Sequence, residues 1–108
     1  MRRLRIHAAA AEEAAEASAW YEKERPGLGA DFLRAVDAAL DLLEADIVPL
    51  ASVPGGAGKQ GAKRLFLRRF PYAVVVRESA DEVLVIAFAH SARRPGYWRE
   101  RLGTKGSG

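Results

Sequence analysis

The feature that most constrains this chain is an unbroken apolar run, Val83-Leu84-Val85-Ile86-Ala87-Phe88-Ala89, rich in branched residues and bounded by charged or polar ones. Such a run suits a central strand that is covered, at least in part, on both faces. A second run, Ala73-Val74-Val75-Val76, precedes it closely. The two therefore read as neighbours in an antiparallel meander, Tyr72 to Arg77 and Glu82 to Ala89, joined by Glu78-Ser79-Ala80-Asp81. A third strand candidate, Lys63 to Arg69, is separated from them by Phe70-Pro71. In it Leu65 and Leu67 alternate with Arg64, Phe66 and Arg68, so one face is apolar and the other carries guanidinium groups around an aromatic ring.

The first half of the chain is of a different kind. The opening RRLRIHA places Leu4 and Ile6 on one face and Arg3, Arg5 and His7 on the other, as a short half-buried strand does. Ala8 to Glu24 is dominated by alanine and glutamate and predicts a first helix. Pro26-Gly27-Leu28-Gly29 breaks it. Phe32, Val36, Leu40 and Leu43 then recur at helical spacing, with Leu33 and Ile47 at the flank and Asp37, Asp41 and Glu44 on other faces, which predicts an amphipathic second helix. Pro49 to Gly61 reads as a mobile connector. Pro95 can open a short helix through Leu102, and residues 103–108 read as a flexible tail. The residues expected in or bordering the core are Leu4, Ile6, Trp20, Phe32, Val36, Leu40, Leu43, Leu65, Leu67, Val74, Val76, Leu84 and Ile86. The fold class is α+β, with an N-terminal strand and helical hairpin before a three-stranded antiparallel meander and a short C-terminal helix, in a four-stranded sheet. With 108 residues there is room for one domain, assigned to 1–102.

Composition narrows the function. The chain has no cysteine and only His7 and His90, so thiolate metal sites are excluded and neither a metal nor a cofactor is expected. No segment is long and apolar enough for a membrane span, and MRRLRIH lacks the apolar region of a secretory signal, so the expected compartment is the cytoplasm. The net charge of +3 conceals a segregation: residues 1–54 carry 6 basic against 10 acidic side chains, and residues 55–108 carry 11 against 4. A basic half implies either a polyanionic partner, nucleic acid or an acidic protein segment, or an ordinary solvated surface.

Three local signatures add to this pattern. They are Trp20-Tyr21-Glu22 before Pro26-Gly27-Leu28-Gly29, with Phe32-Leu33 and Val36-Asp37 following; Arg68-Arg69-Phe70-Pro71-Tyr72; and His90-Ser91-Ala92-Arg93-Arg94-Pro95-Gly96-Tyr97-Trp98. In this order, from about Leu4 to Arg101, the chain resembles the RelE/ParE superfamily of type II toxin-antitoxin toxins, especially members described as plasmid-stabilisation proteins. The resemblance implies a toxin held inactive by a cognate antitoxin, which alone contacts operator DNA. It also implies one of two actions: RelE-like cleavage of messenger RNA on the ribosome, or ParE-like poisoning of DNA gyrase without hydrolysis. A module reduced to antitoxin binding is a third reading.

Cleavage at a 2′-hydroxyl needs a proton acceptor, cations for the pentacoordinate phosphate and a donor for the leaving oxygen. By resemblance to RelE-like toxins, Arg64 falls on the first basic position, but Phe66 occupies the second and Ala73 stands where an arginine is expected. Arg93 or Arg94 and Tyr97 could fill the last two roles. Each lost phosphate contact would cost on the order of 2 to 4 kcal/mol in the transition state by analogy with oxyanion donors. The ribonuclease candidates are therefore Arg64, His90, Arg93 and Tyr97, and the candidates for target binding are Arg64, Arg68, Arg93, Arg94 and Tyr97. Against these stand structural roles: His90 satisfying backbone groups at a strand end, Arg93 and Arg94 paired with Glu12, Glu13 or Glu16, and Trp20 and Trp98 as core anchors. The balance favours a ParE-like protein that binds and does not cut.

Overall fold

The computed structural model describes residues 2–47 and 49–103, apart from the side chain of Ala57. In chain order the elements are β1 (Arg3–Ile6), α1 (Ala8–Glu24), α2 (Leu28–Ala45), β2 (Ala51–Ser52), α3 (Gly56–Lys59), β3 (Ala62–Phe66), β4 (Tyr72–Glu78), β5 (Glu82–His90) and a terminal 3-10 helix (Arg99–Gly103). The strands form one sheet in the order β1-β5-β4-β3-β2. β1 lies parallel to β5, with Leu4 opposite Val83, and the remaining pairs are antiparallel. The sheet thus has five strands where the sequence predicted four. The added one is β2, two residues that pair with Lys63 and Arg64. With α3 it shows that the expected mobile connector carries secondary structure. β3 ends at Phe66 instead of Arg69, and the turn that follows holds Arg69 at φ 72°. Gly103 belongs to the 3-10 helix and not to a tail, while residues 104–108 lie outside the described set.

The helical hairpin packs on one face of the sheet. In α1 the inward positions are Ala10, Ala14, Ala17 and Tyr21, spaced 4, 3 and 4. Trp20 sits one position, roughly 100°, off that stripe and is 57% exposed, which removes it from the expected core. In α2 the buried positions are Gly29, Phe32, Val36, Ala39 and Leu43. The 3-4-3-4 spacing selects Ala39, so Leu40 is only half-buried at the edge of the stripe and Leu33 is exposed. Ile6 is exposed as well, and Leu4 and Leu65 border the core. The helices approach closely at Gly29, where a Cβ would stand 2.6 Å from the Ser18 carbonyl oxygen. Glu22 then accepts hydrogen bonds from the backbone N–H groups of Gly27 and Gly29, capping the start of α2 from the neighbouring helix.

β5 is paired along its first half by β1 and throughout by β4, but its alternation changes phase midway. Val76 faces Val85 while Val75 faces Ala87, so Ile86 is an extra residue, a β-bulge. Val83, Val85 and Phe88 therefore point to the helices, whereas Leu84, Ile86 and Ala87 join Val53, Ala62, Val75, Trp98 and Leu102 in a second cluster on the opposite face. The chain after β5 crosses that second face, and Trp98 and Leu102 cover only part of it.

Candidate functional site

The uncovered remainder of the second face is a groove of about 570 Å³. Its floor is sheet: Ala73 and Val75 of β4, Ala89 of β5, and Arg64 and Phe66 of β3, whose alternation turns them to this side. One wall is the turn Phe70-Pro71, another the loop Ser91 to Gly96 with Trp98 and Arg99, and a third Val53 to Gly56. Arg64, Arg93, Arg94 and Arg99 line it together with His90, and no aspartate or glutamate does.

Of the residues singled out from sequence, the fold brings Arg64, His90, Arg93 and Arg94 to this groove. Arg68 is exposed beyond the end of β3 and does not line it. Tyr97 does not line it either. Its hydroxyl donates to Glu13 Oε2 at 2.6 Å, its ring lies under the Arg93 guanidinium at 3.9 Å, and burial, with the Glu13 hydrogen bond adding to it, pushes the phenol well above its ordinary range. At neutral pH this hydroxyl is a committed donor and no acid or base for a ligand in the groove. Burial likewise raises Tyr72, with the charges of Tyr21 and Glu13 adding to the effect, and raises Tyr21.

His90 closes β5. Its Nδ1 accepts from the Ala92 backbone N–H at 2.9 Å and its ring meets Tyr72 edge-on at 5.0 Å, so the imidazole holds the turn. In the neutral ring the proton then sits on Nε2, which leaves no free lone pair for a general base. The Arg64 guanidinium stands 5.0 Å from the centre of the Phe66 ring, and its Nε is buried without a hydrogen-bond partner. Phe66 is 59% exposed. Ala73 is buried in the floor and supplies no charge.

The alternative role for Arg93 and Arg94, pairing with acidic side chains of α1, does not occur among the described residues. Glu13, 13% exposed, instead takes Arg101 at 2.9 Å, Tyr97, and the backbone N–H of Phe88 at 3.1 Å. Phe88 lies just past the end of β1, where β5 has lost its neighbour, and Arg101 also donates to the carbonyl of the bulged Ile86 at 3.1 Å. One ion pair thus satisfies the backbone groups that the bulge and the short β1 leave open, and it ties the C-terminal segment to α1. Arg99 belongs to the site and was not foreseen. It lies over Gly56 and Gly96, where a Cβ would meet its side chain at 2.9 and 3.1 Å, and Gly96 holds φ 80°. Glu13 and Arg101 carry no local sequence signal, because the bulge that needs them is hidden in an uninterrupted apolar run.

A second concavity of about 370 Å³ lies between α1 and the end of the sheet, lined by Glu13, Glu16, Trp20 and Tyr21 among others, with Tyr72, His90 and Arg93 shared between the two. No described helix is long and apolar enough to cross a membrane, and the described residues contain no cluster of three potential metal ligands.

No protein-family model matches the chain, and no curated protein does. Among solved structures it is similar to a chain of the structure described as "Chromosomal ParDE TA system from P. aeruginosa", with a TM-score of 0.67 at 18% identity, covering 83% of this chain and 96% of the other. The element order, the helical hairpin on one face and this superposition over nearly the whole of that chain show that the protein shares the α+β fold of that chain of the ParDE system.

Proposed function

We propose that the protein is the toxin of a type II toxin-antitoxin module, a ParE-like inhibitor that acts by binding DNA gyrase and is neutralised by a cognate antitoxin. The fold it shares with a chain of a ParDE system supports the toxin assignment. The observation that carries binding over cleavage is the state of the groups that RNA cleavage would require. His90 Nδ1 is engaged with the Ala92 N–H, the Tyr97 hydroxyl is engaged with Glu13 outside the groove, and Phe66 and Ala73 line the groove at the two positions where the resemblance to RelE-like toxins implies cations. What remains, Arg64, Arg93 and Arg94 around an exposed aromatic ring, is suited to holding a partner. Operator DNA enters only through the antitoxin.

The test is induced expression with parallel readouts of gyrase-DNA cleavage complexes and of messenger RNA cleavage, with and without co-expression of the product of the adjacent gene. Cleavage complexes that disappear on co-expression are expected, and Arg93→Ala with Arg94→Ala should weaken toxicity in a folded protein. Ribosome-dependent RNA cleavage abolished by His90→Ala or Arg93→Ala would replace this reading with the RelE-like one. A stable complex with the neighbouring product and no toxicity would reduce the role to antitoxin binding.

A further inference from the structure

The groove on the second face is charged beyond anything the fold needs. Four arginines line it without a carboxylate among them, Arg93 with its guanidinium stacked on Tyr97 at the edge shared with the second concavity, and none of Arg64, Arg93, Arg94 and Arg99 has an ion-pair partner among the described residues. Like charges gathered around one concavity repel, so the arrangement costs stability until an anion enters. Arg64 is held over Phe66 with its Nε buried and unpartnered, and Arg99 is seated on two glycines, so two of the four are positioned and not merely extended into solvent. The ring of Phe66 offers an exposed flat surface beside them.

We propose that this groove binds a nucleoside di- or triphosphate, with the polyphosphate held by the arginines and the base stacked against Phe66. Guanidinium forks match phosphate oxygens, and a base stacks on an aromatic face whatever its identity. A volume of about 570 Å³ suits a ligand of nucleotide size. A monophosphate, with about two negative charges, would leave half of the cationic charge uncompensated, which favours the longer polyphosphate chain. The inference goes beyond the toxin reading and does not rest on it; because the same arginines and ring are proposed to hold the toxin's target, nucleotide and target would compete for the groove, and the free chain is the form to titrate.

Calorimetric titration of the full chain at low salt tests it, with ATP, GTP and CTP, inorganic tripolyphosphate, and a single-stranded deoxythymidine oligonucleotide as separate arms, and circular dichroism to verify the fold of each variant. All three nucleotides should bind, several-fold tighter than tripolyphosphate. Arg94→Gln and Arg99→Gln should each weaken nucleotide binding about tenfold, and Phe66→Ala should bring the nucleotides down to the level of tripolyphosphate. Arg3→Gln, on the far edge of the sheet, should change nothing. Tripolyphosphate binding as tightly as the nucleotides would refute a base subsite, and binding of the oligonucleotide alone would reassign the groove to a nucleic-acid strand. No binding by the folded chain, or an Arg3→Gln effect equal to that of Arg99→Gln, would overturn the proposal.

Discussion

Replacing Glu13 with alanine tests whether the C-terminal segment is clamped to the rest of the fold in the way described. The carboxylate accepts from the Phe88 N–H at 3.1 Å, from the Tyr97 hydroxyl at 2.6 Å, and from Arg101 at 2.9 and 3.3 Å. Glu13 is 13% exposed and Arg101 is 21% exposed. Breaking a fully buried pair costs about 3 to 5 kcal/mol, because a charge stays behind without compensation. Here water reaches Arg101 in part, and Arg101 keeps the Ile86 carbonyl, which lowers the figure. The orphaned Phe88 N–H adds about 1 to 3 kcal/mol of its own if no water replaces the carboxylate. Together these place Glu13→Ala at about 2 to 4 kcal/mol, which corresponds to a fall of about 10 to 25 °C in Tm for a domain of this size. Urea titration with an unchanged slope measures the loss directly. Tyr97→Phe removes only the hydroxyl and should cost about 1 to 2 kcal/mol, with the double variant less destabilised than the sum by about 1 kcal/mol. A Glu13→Ala loss below about 1 kcal/mol, or strict additivity with Tyr97→Phe, would refute the clamp.

The two tryptophans should behave oppositely. Trp98, 4% exposed beneath the groove, should cost about 3 to 5 kcal/mol on replacement by alanine, and Trp20, 57% exposed, less than about 1 kcal/mol, both read from denaturant midpoints. Glu78 predicts the acid limb of stability. The hydrogen bond from Lys63, with that from Arg2, holds its carboxyl below the ordinary 4.5 against the effect of burial. Because the folded value lies below the unfolded one, its contribution is complete above that ordinary value and is lost as pH falls from there through the folded pKa. The stability difference between the protein and Glu78→Gln should therefore shrink from about pH 7 to about pH 3, and a difference that stays constant would contradict the assignment.

Much of this architecture follows from local pattern. The apolar runs at Ala73 to Val76 and Val83 to Ala89 need cover on both faces, which makes them central strands. The alanine-rich segment and the Phe32-Val36-Leu43 stripe need a face to bury, which makes a helical hairpin on a sheet. The alternation of Arg64 and Phe66 with Leu65 put the guanidinium and the ring on the side away from the helices, and the structure keeps them there. The punctuation at Pro26-Gly27 marked the turn of the helical hairpin, and that at Phe70-Pro71 and Pro95-Gly96 the turns that shape the groove.

What required the tertiary structure is whatever depends on phase between distant elements. Tyr21 and not Trp20 enters the core because the sheet selects one stripe of α1, and alanine at most positions leaves that choice open in the sequence. The bulge at Ile86 turns half of β5 to the second face, but seven consecutive apolar residues carry no alternation from which a phase change could be read. That bulge, with the early end of β1, exposes backbone groups of Ile86 and Phe88, and these draw Glu13 and Arg101 together from positions 88 residues apart. The same contacts engage the Tyr97 hydroxyl away from the groove, and Arg99, on the segment they secure, lies in the groove wall. The sequence alone therefore determined the class of fold and the basic character of one face. Long-range hydrogen bonding decided which of the basic and aromatic residues remain free to meet a ligand, because that choice depends on backbone groups left unpaired elsewhere in the sheet.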